Sequence, residues 1–387
     1  MRTFAEWALP GHVDKISDRI ADGIVDAALA IDPKAVVGIE VAIHRNQVFI
    51  DGQIACPKPK KINFEKIVRD VFRESDYGGK FLPDPKDLEI KTDLSLEDVN
   101  PTKKYLRSVT RDQSIITGYA EFNPKTNYLP FASFTAYVIA RALDEMRKEL
   151  PEKIGSDGKV LAVISHSTSA NSPADLMNIL ESLNISIHHH PSFNTISILT
   201  FAKKVLKKVN EEFLWGENIV PYPTKLLVNG AGDFSTGGPK GDNGLSGKKI
   251  VIDAYGPHVP VGGGAFSGKD PYKVDRMMAL RARQIAKHIV IAGCAERVLV
   301  HLAFASGDRE PRWKEIQLGT VNYDENTTTW KMADESFAQR WLSGYDLTIE
   351  GTFNDLDLSK VLWTELAKWG HFTDPNLPWE RWNPGRV

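Results

Sequence analysis

Apolar residues recur every four positions at Ile16, Ile20 and Ile24, with Val25, Ala28 and Leu29 beside them; this predicts a helix over residues 15–30. Shorter apolar runs at 35–43 and 47–54, separated by His44-Arg45-Asn46, predict a β-hairpin. Residues 131–150 read as a helix stopped by Pro151, and 160–165 and 185–189 as strands. Pro191 and Ser192 open a long helix running towards Leu214. Strands are predicted at 224–228 and 250–254, a strong helix at 272–292 and a strand at 297–304. Residues 76–111 are polar, without periodic apolar positions, and predict a mobile loop region. Strand pairs followed by helices, about three times over, imply an α+β protein built from structural repeats. The divisions expected are 1–110, 111–229 and 230–387.

Length and charge narrow the classes. The chain has 387 residues, too many for one ordinary core. Lys plus Arg is 48 against 50 Asp plus Glu, so a general nucleic-acid binder is not expected. No apolar run approaches 18 residues, and the N-terminal stretch lacks a basic segment followed by an apolar one, so neither a membrane span nor a signal peptide is expected. Two cysteines, Cys56 and Cys294, make no disulfide framework, which points to the cytoplasm.

Twelve of the 29 glycines fall between Gly230 and Gly268, interleaved with Lys240, Lys248, Lys249 and Lys269. That mixture differs from a plain flexible linker and predicts ordered, ligand-facing loops. Gly263-Gly264-Ala265-Phe266-Ser267-Gly268-Lys269-Asp270 fits G-x-x-x-x-G-K but ends in Asp, with no strand before it, so it is not a P-loop. Small residues there still let backbone N–H groups approach a polyphosphate, with Lys269 beside it and Lys273 one turn on. A tight turn at residues 237–249 presents Asp242 and the pair Lys248-Lys249, and Phe234 before it suits a flat base.

Gly11-His12-Val13-Asp14-Lys15 precedes the first helix. A helix N-terminus favours phosphate, so His12 and Lys15 suit phosphate oxygens and Asp14 a magnesium ion. The simpler reading is an N-cap aspartate with two solvated neighbours. Asp18, Asp22 and Asp26 continue an acidic stripe, read as a solvated face or as salt-bridge partners. His188-His189-His190 resembles a metal tract but has no completing ligands nearby. No G-x-S-x-G, H-E-x-x-H or dinucleotide fingerprint is present.

Residues 237–275 closely resemble the signature region of the S-adenosylmethionine synthetase family, the methionine adenosyltransferases. Gly11-His12-Val13-Asp14-Lys15 is similar to that family's G-H-P-D-K. Asp32-Pro33-Lys34-Ala35 through Glu40, Gly118-Tyr119-Ala120, Gly370-His371-Phe372 and Pro378-Trp379-Glu380 extend the likeness over nearly the whole chain. The resemblance implies three similar α+β subdomains about a pseudo-threefold axis. It also implies a homodimer, or a dimer of dimers, with its active site between subunits. The implied reaction is attack of methionine sulfur on C5′ of ATP, followed by hydrolysis of tripolyphosphate to pyrophosphate and phosphate, with Mg2+ and K+.

By the same resemblance, His12 contacts the triphosphate and assists C5′–O cleavage, and Asp14 and Asp275 ligate magnesium. Glu40 belongs to the potassium site. Asp157 and Lys159 contact ATP, Phe234 stacks on adenine, and Asp242 bridges ATP and methionine. Lys248 and Lys249 hold phosphate, Ala265 and Lys269 lie on ATP, and Lys273 faces the phosphates or methionine. Asp112 lies near the substrate. Four places depart from the family pattern. Gln53 stands where a Glu would bind the methionine ammonium, Lys248 replaces Arg, Asp233 replaces Arg beside Phe234, and Val99-Asn100-Pro101 is the nearest match to the I-N-Q gating motif. These departures motivate two alternatives, a non-catalytic ATP-binding paralogue and an enzyme for a methionine analogue.

Overall fold

The computed structural model describes residues 2–98, 105–166, 178–212, 219–220, 222–322 and 327–386. Val99-Asn100-Pro101 lies outside the described residues.

A strand, a long helix, an antiparallel strand pair and a further helix recur three times. The first series is β1 (Arg2–Ala8), α1 (Val13–Ile31), β2 (Val36–His44), β3 (Gln47–Ala55) and α2 (Phe64–Glu74). After β4 (Glu89–Glu97) and the short α3 (Tyr105–Ser108) comes the second: β5 (Ser114–Glu121), α4 (Phe131–Arg147), β6 (Ile154–His166), β7 (Asn178–His189) and α5 (Thr195–Glu212). Short strands β8 (Ile219–Val220) and β9 (Lys225–Val228) lead to the third: β10 (Asn243–Leu245), the short α6 (Ile250–Asp253), α7 (Val274–Ile291), β11 (Arg297–Phe304), β12 (Trp313–Asn322), the added β13 (Thr327–Met332) and α8 (Glu335–Ser343). Helices α9 (Ile349–Asp355) and α10 (Trp363–Trp369) close the chain.

The leading strand of each series never joins its own pair. β1 pairs with β6, β5 with β11, and β10 with β2, each antiparallel to the first strand of the receiving pair. The donation is cyclic, so the three sheets close on one another in an approximate threefold arrangement. This is the α+β fold of three similar subdomains expected from the sequence.

Each sheet buries one face under its own long helix. Along α1, Ile16, Ile20, Ile24, Val25 and Ala28 are fully buried, as the four-residue apolar spacing requires. They belong to a core shared with α7, Trp363 and Trp379, and a second core lies between α4, α5 and the sheet of β1, β6 and β7. Removing each such Ile or Leu from water contributes roughly 1.5–3 kcal/mol.

Three expectations are corrected. Residues 250–254 form the short helix α6, not a strand. Asp253 at its end takes the Lys15 ammonium at 2.5 Å, and its carbonyl accepts the His371 N–H. Those tertiary bonds override the β-branched propensity of Ile250, Val251 and Ile252. Residues 76–111 are not a loop throughout: β4 runs parallel to β3 along the sheet edge. Only Ile90, Leu94 and Leu96 are partly covered, which is why the segment reads as polar. The helix after His190 starts at Thr195, later than Pro191 suggests.

Candidate active site

The N-terminus of α1 is capped by His12, whose Nδ1 accepts the Asp14 N–H at 3.2 Å. That bond keeps Nδ1 free of a proton, so the neutral imidazole carries its proton on Nε2. Burial, then the nearby Lys249 ammonium, lowers the His12 pKa to about 4. Asp14, in the first turn, is fully buried. Its Oδ1 accepts the Leu245 N–H at 3.0 Å and its Oδ2 the Lys249 ammonium at 2.5 Å; Lys248 approaches Oδ1 to 3.6 Å. Burial alone would raise this carboxyl, but those bonds outweigh it and hold it below the usual carboxylate range. The simpler reading of this motif is corrected: the cap is His12, and Lys15 is not solvated. Lys15 is buried, bound to Asp253 at 2.5 Å and Asp18 at 3.1 Å, so it does not serve phosphate.

The acidic stripe proves to be the rack on which the glycine loops hang. Asp14 receives the Leu245 N–H, Asp18 the Gly247 N–H at 2.7 Å and Asp22 the Gly268 N–H at 2.8 Å. Asp26 receives those of Trp363 and Thr364 at 3.0 and 2.9 Å. Asp22 also takes the Arg276 guanidinium at 2.5 Å, with both side chains fully buried. The four-residue spacing fits this use, since positions i and i+4 share one helix face. Of the two readings offered by the sequence, salt-bridge partner holds for Asp18 and Asp22, and a solvated face holds for neither.

His12 opens onto a cavity of about 420 Å3 whose walls include Asp157, Lys159, Asp233, Phe234 and Asp242. Asp157 accepts the Gly238 N–H at 2.7 Å, and burial still pushes its carboxyl up to about 6. Gly238 has φ +60, and a side chain there would strike the Tyr77 ring. Phe234 is held from below. Its N–H donates to His189 Nε2 at 3.2 Å, its carbonyl accepts the His189 N–H at 3.0 Å, and the His188 ring lies 5.6 Å away. The histidine tract is therefore a loop anchor. Among the described residues no group of three His, Cys, Asp or Glu is clustered for a metal.

A second cluster forms where the other glycine loop meets β2 and β5. Lys269 places its ammonium 2.5 Å from Asp275 Oδ2, and Asp275 Oδ1 accepts the Ser114 hydroxyl. A methyl at Gly264 would lie 2.2 Å from Asp275 Cγ, so only glycine lets this loop approach. Asp112 is exposed two residues before Ser114. Lys273 caps α7 beside Gly38 of β2, which also bridges to Lys269. Gly38 pairs with Gln53 and Glu40 with Asp51 across the hairpin; Glu40 and Gln53 are exposed. Ala265 packs against Gly247 and so touches the loop carrying Lys248 and Lys249.

The expected site residues thus separate into two groups. His12, Asp157, Lys159, Phe234 and Asp242 line one cavity, with Asp14, Lys248 and Lys249 beside it. Lys269, Lys273, Asp275, Asp112, Gln53 and Glu40 do not line that cavity. Sequence reasoning missed Ser114, Tyr77 and Asn229. Tyr77 donates to the Gly11 carbonyl at 2.8 Å, and Asn229, with φ +49, pairs with both backbone groups of Ile187. Only the Asn229-Gly230 turn left a signal in the sequence.

Fold and site together define an α+β protein of three cyclically joined sheets with a cation-flanked cavity at a helix N-terminus. The S-adenosylmethionine synthetase N-terminal, central and C-terminal domain models match residues 3–96, 107–234 and 236–381. An S-adenosylmethionine synthase of Mycoplasma mycoides subsp. mycoides SC is 32% identical, covering 97% of this chain and 94% of that protein. One of Clostridium botulinum is 33% identical, covering 98% and 96%. A solved structure from Campylobacter jejuni, described as an unusual S-adenosylmethionine synthetase, is 25% identical with a TM-score of 0.83, covering 98% of this chain and 97% of that one. The chain belongs to the S-adenosylmethionine synthetase family. No described helix is long and apolar enough to cross a membrane.

Proposed function

We propose that the protein is an ATP:L-methionine S-adenosyltransferase. The observation that carries this reading is the cavity of His12, with Phe234 in its wall and Lys249 bound to Asp14 at its edge. ATP fits with adenine against Phe234 and the triphosphate running towards the N-terminus of α1, where free N–H groups and two lysines meet it. His12 Nε2–H donates to the oxygen between C5′ and the triphosphate, stabilising charge as that bond breaks. Methionine sulfur is a neutral nucleophile, so alignment on C5′ supplies much of the rate. Asp242, exposed at the cavity wall, suits the methionine ammonium, as Gln53 offers no charge. The tripolyphosphate then stays among Lys248, Lys249, Lys269 and Lys273 while water cleaves it to pyrophosphate and phosphate.

Magnesium would neutralise the triphosphate oxygens when bound. Asp14 and Asp275 fit it as single ligands: each accepts two protein donors and keeps lone pairs for one metal bond, and phosphate oxygens and water complete the shell. Glu40, exposed opposite Asp51, suits potassium.

A second copy of the chain completes the site, since the Lys269–Asp275 cluster does not line the His12 cavity. The exposed sheet residues Phe49 and Leu245 suit a homodimer face, and a dimer of dimers is compatible with it. Two free thiols suit the cytoplasm. Incubation with ATP, L-methionine, magnesium and potassium is expected to yield S-adenosylmethionine by mass spectrometry. ATP binding without product would contradict the reading and leave a nucleotide-binding paralogue.

A further inference from the structure

Both ends of the His12 cavity rest on a single turn that follows α2. The turn runs from Tyr77 to Phe81 and closes on itself: the Gly78 N–H donates to the Phe81 carbonyl at 2.7 Å, and the Phe81 N–H returns to the Gly78 carbonyl at 3.1 Å. Gly78 and Gly79 have φ +117 and +59, backbone that residues with side chains rarely adopt, which lets the turn be this tight. Its start is pinned to the second subdomain, where Asp76 binds the buried Arg147 of α4 at 2.8 Å. Tyr77 and Phe81 are both buried. Tyr77 packs its ring 5.5 Å from that of Phe72 and donates its hydroxyl to the Gly11 carbonyl, in the peptide that leads into His12, at 2.8 Å. The same oxygen lies against Gly238, where a methyl would be 2.2 Å from it. Gly238 is the residue whose N–H Asp157 accepts, so one hydroxyl spaces His12 from the Asp157 loop. Phe81 meets the His188 ring edge to face at 4.9 Å, and His188 in turn backs Phe234. Neither Tyr77 nor Phe81 lines the cavity, so each acts on a ligand through another residue.

We infer that this turn holds two positioning residues with separate duties: Tyr77 fixes His12 for the chemical step, and Phe81, through His188, fixes Phe234 for the nucleotide base. The first duty rests on the adenosyltransferase reading; the second requires only that a nucleotide binds. Without the hydroxyl, the buried Gly11 carbonyl loses the Tyr77 donor and the peptide before His12 is held less tightly. A small misplacement of a group aligned on a breaking bond costs rate more than affinity. Without the Phe81 ring, His188 loses its edge-to-face partner and Phe234 its backing, which costs affinity for a stacked base.

Tyr77→Phe and Phe81→Leu in the full-length protein separate the two duties. Affinity for a non-hydrolysable ATP analogue with magnesium is read by calorimetry, and kcat at saturating ATP and methionine is expressed per analogue-binding site. Tyr77→Phe keeps the ring against Phe72 and is expected to lower kcat roughly tenfold while analogue affinity stays within about twofold. Phe81→Leu is expected to weaken analogue binding roughly fivefold while kcat stays within about twofold. Phe81→Met, which refills the volume with a flexible chain, serves if Phe81→Leu folds poorly. A turn that merely holds the fold would reduce the yield of folded protein and leave both quantities per site unchanged. That result, or both quantities falling together in each variant, or either variant without its expected change, overturns the inference. Wild type that binds the analogue but makes no S-adenosylmethionine would remove the adenosyltransferase reading and the duty of Tyr77 with it, while the analogue titration would still decide that of Phe81.

Discussion

Lys249 reaches back across 235 residues of sequence to set its ammonium 2.5 Å from Asp14 Oδ2, on the first turn of the first helix. The pair joins the two ends of the chain's chemistry: a helix N-terminus that attracts phosphate, and a glycine loop that delivers cations to it. Asp14 keeps its charge there despite full burial because the loop supplies both Lys249 and the Leu245 N–H.

Asp14→Asn is therefore expected to lose the loop anchor and, on the proposed reading, a magnesium ligand. The magnesium concentration for half-maximal activity should rise, and kcat should fall by roughly 10²-fold. A magnesium titration of the variant beside wild type checks this. An unchanged magnesium requirement would remove Asp14 from the metal site.

The pH dependence of stability follows from His12. Its folded-state pKa is about 4, depressed by burial and then by Lys249, against an ordinary value of 6.5. The folded protein therefore binds this proton less well than the unfolded chain. The contribution to stability is intact above about 6.5 and is lost as pH falls towards about 4, a loss of at most about 3 kcal/mol in all. Asp157 and Asp253, each raised to about 6 chiefly by burial, act in the opposite sense. The difference between wild type and His12→Gln isolates the histidine. Denaturation curves should show wild type losing stability relative to His12→Gln between pH 6.5 and 4; parallel curves would contradict a neutral His12.

Asp22 and Arg276 form a fully buried ion pair, and Arg276 also donates to the Lys269 carbonyl at 2.9 Å. Arg276→Met leaves the buried Asp22 carboxyl, which burial already raises, without its partner. A loss of roughly 3–5 kcal/mol in chemical denaturation is expected. The double variant with Asp22→Asn should recover part of it. A single variant as stable as wild type would show that the rack along α1 is not under load.

The α1 helix, its hairpin and the strand Arg297–Phe304 were legible because each has one buried face and one period. The site residues were legible as types, from glycine spacing and the motif around His12. What the sequence could not carry was non-local. β4 looked like loop because an edge strand covered on one face shows few apolar residues. The Ile250-Val251-Ile252 run looked like strand because nothing local announces that Lys15 will bind Asp253. The aspartates of α1 stayed open between a solvated face and salt-bridge partners because the backbone N–H groups they accept lie more than 200 residues away. The separation of the site into two clusters was likewise invisible in linear order.

That separation has its own test. His12→Ala disables the first cluster and Lys269→Ala the second. In the homodimer proposed above, each variant alone should be nearly inactive. Dissociating, mixing and reassociating the two should restore roughly a quarter of wild-type activity, since half the dimers are mixed and each carries one intact site. Failure of well-mixed dimers to recover any activity would place both clusters in one chain's site.

Adenosyl transfer at the His12 cavity is tested most directly in a single turnover, with enzyme in excess of ATP and methionine saturating. S-adenosylmethionine formation would be followed by rapid quench and mass spectrometry, in wild type and His12→Ala. The account predicts formation by wild type and a rate lower by roughly 10²-fold or more in the variant, with ATP binding changed only a few-fold. An equal rate in both proteins, or no S-adenosylmethionine from wild type while ATP remains bound, would contradict it.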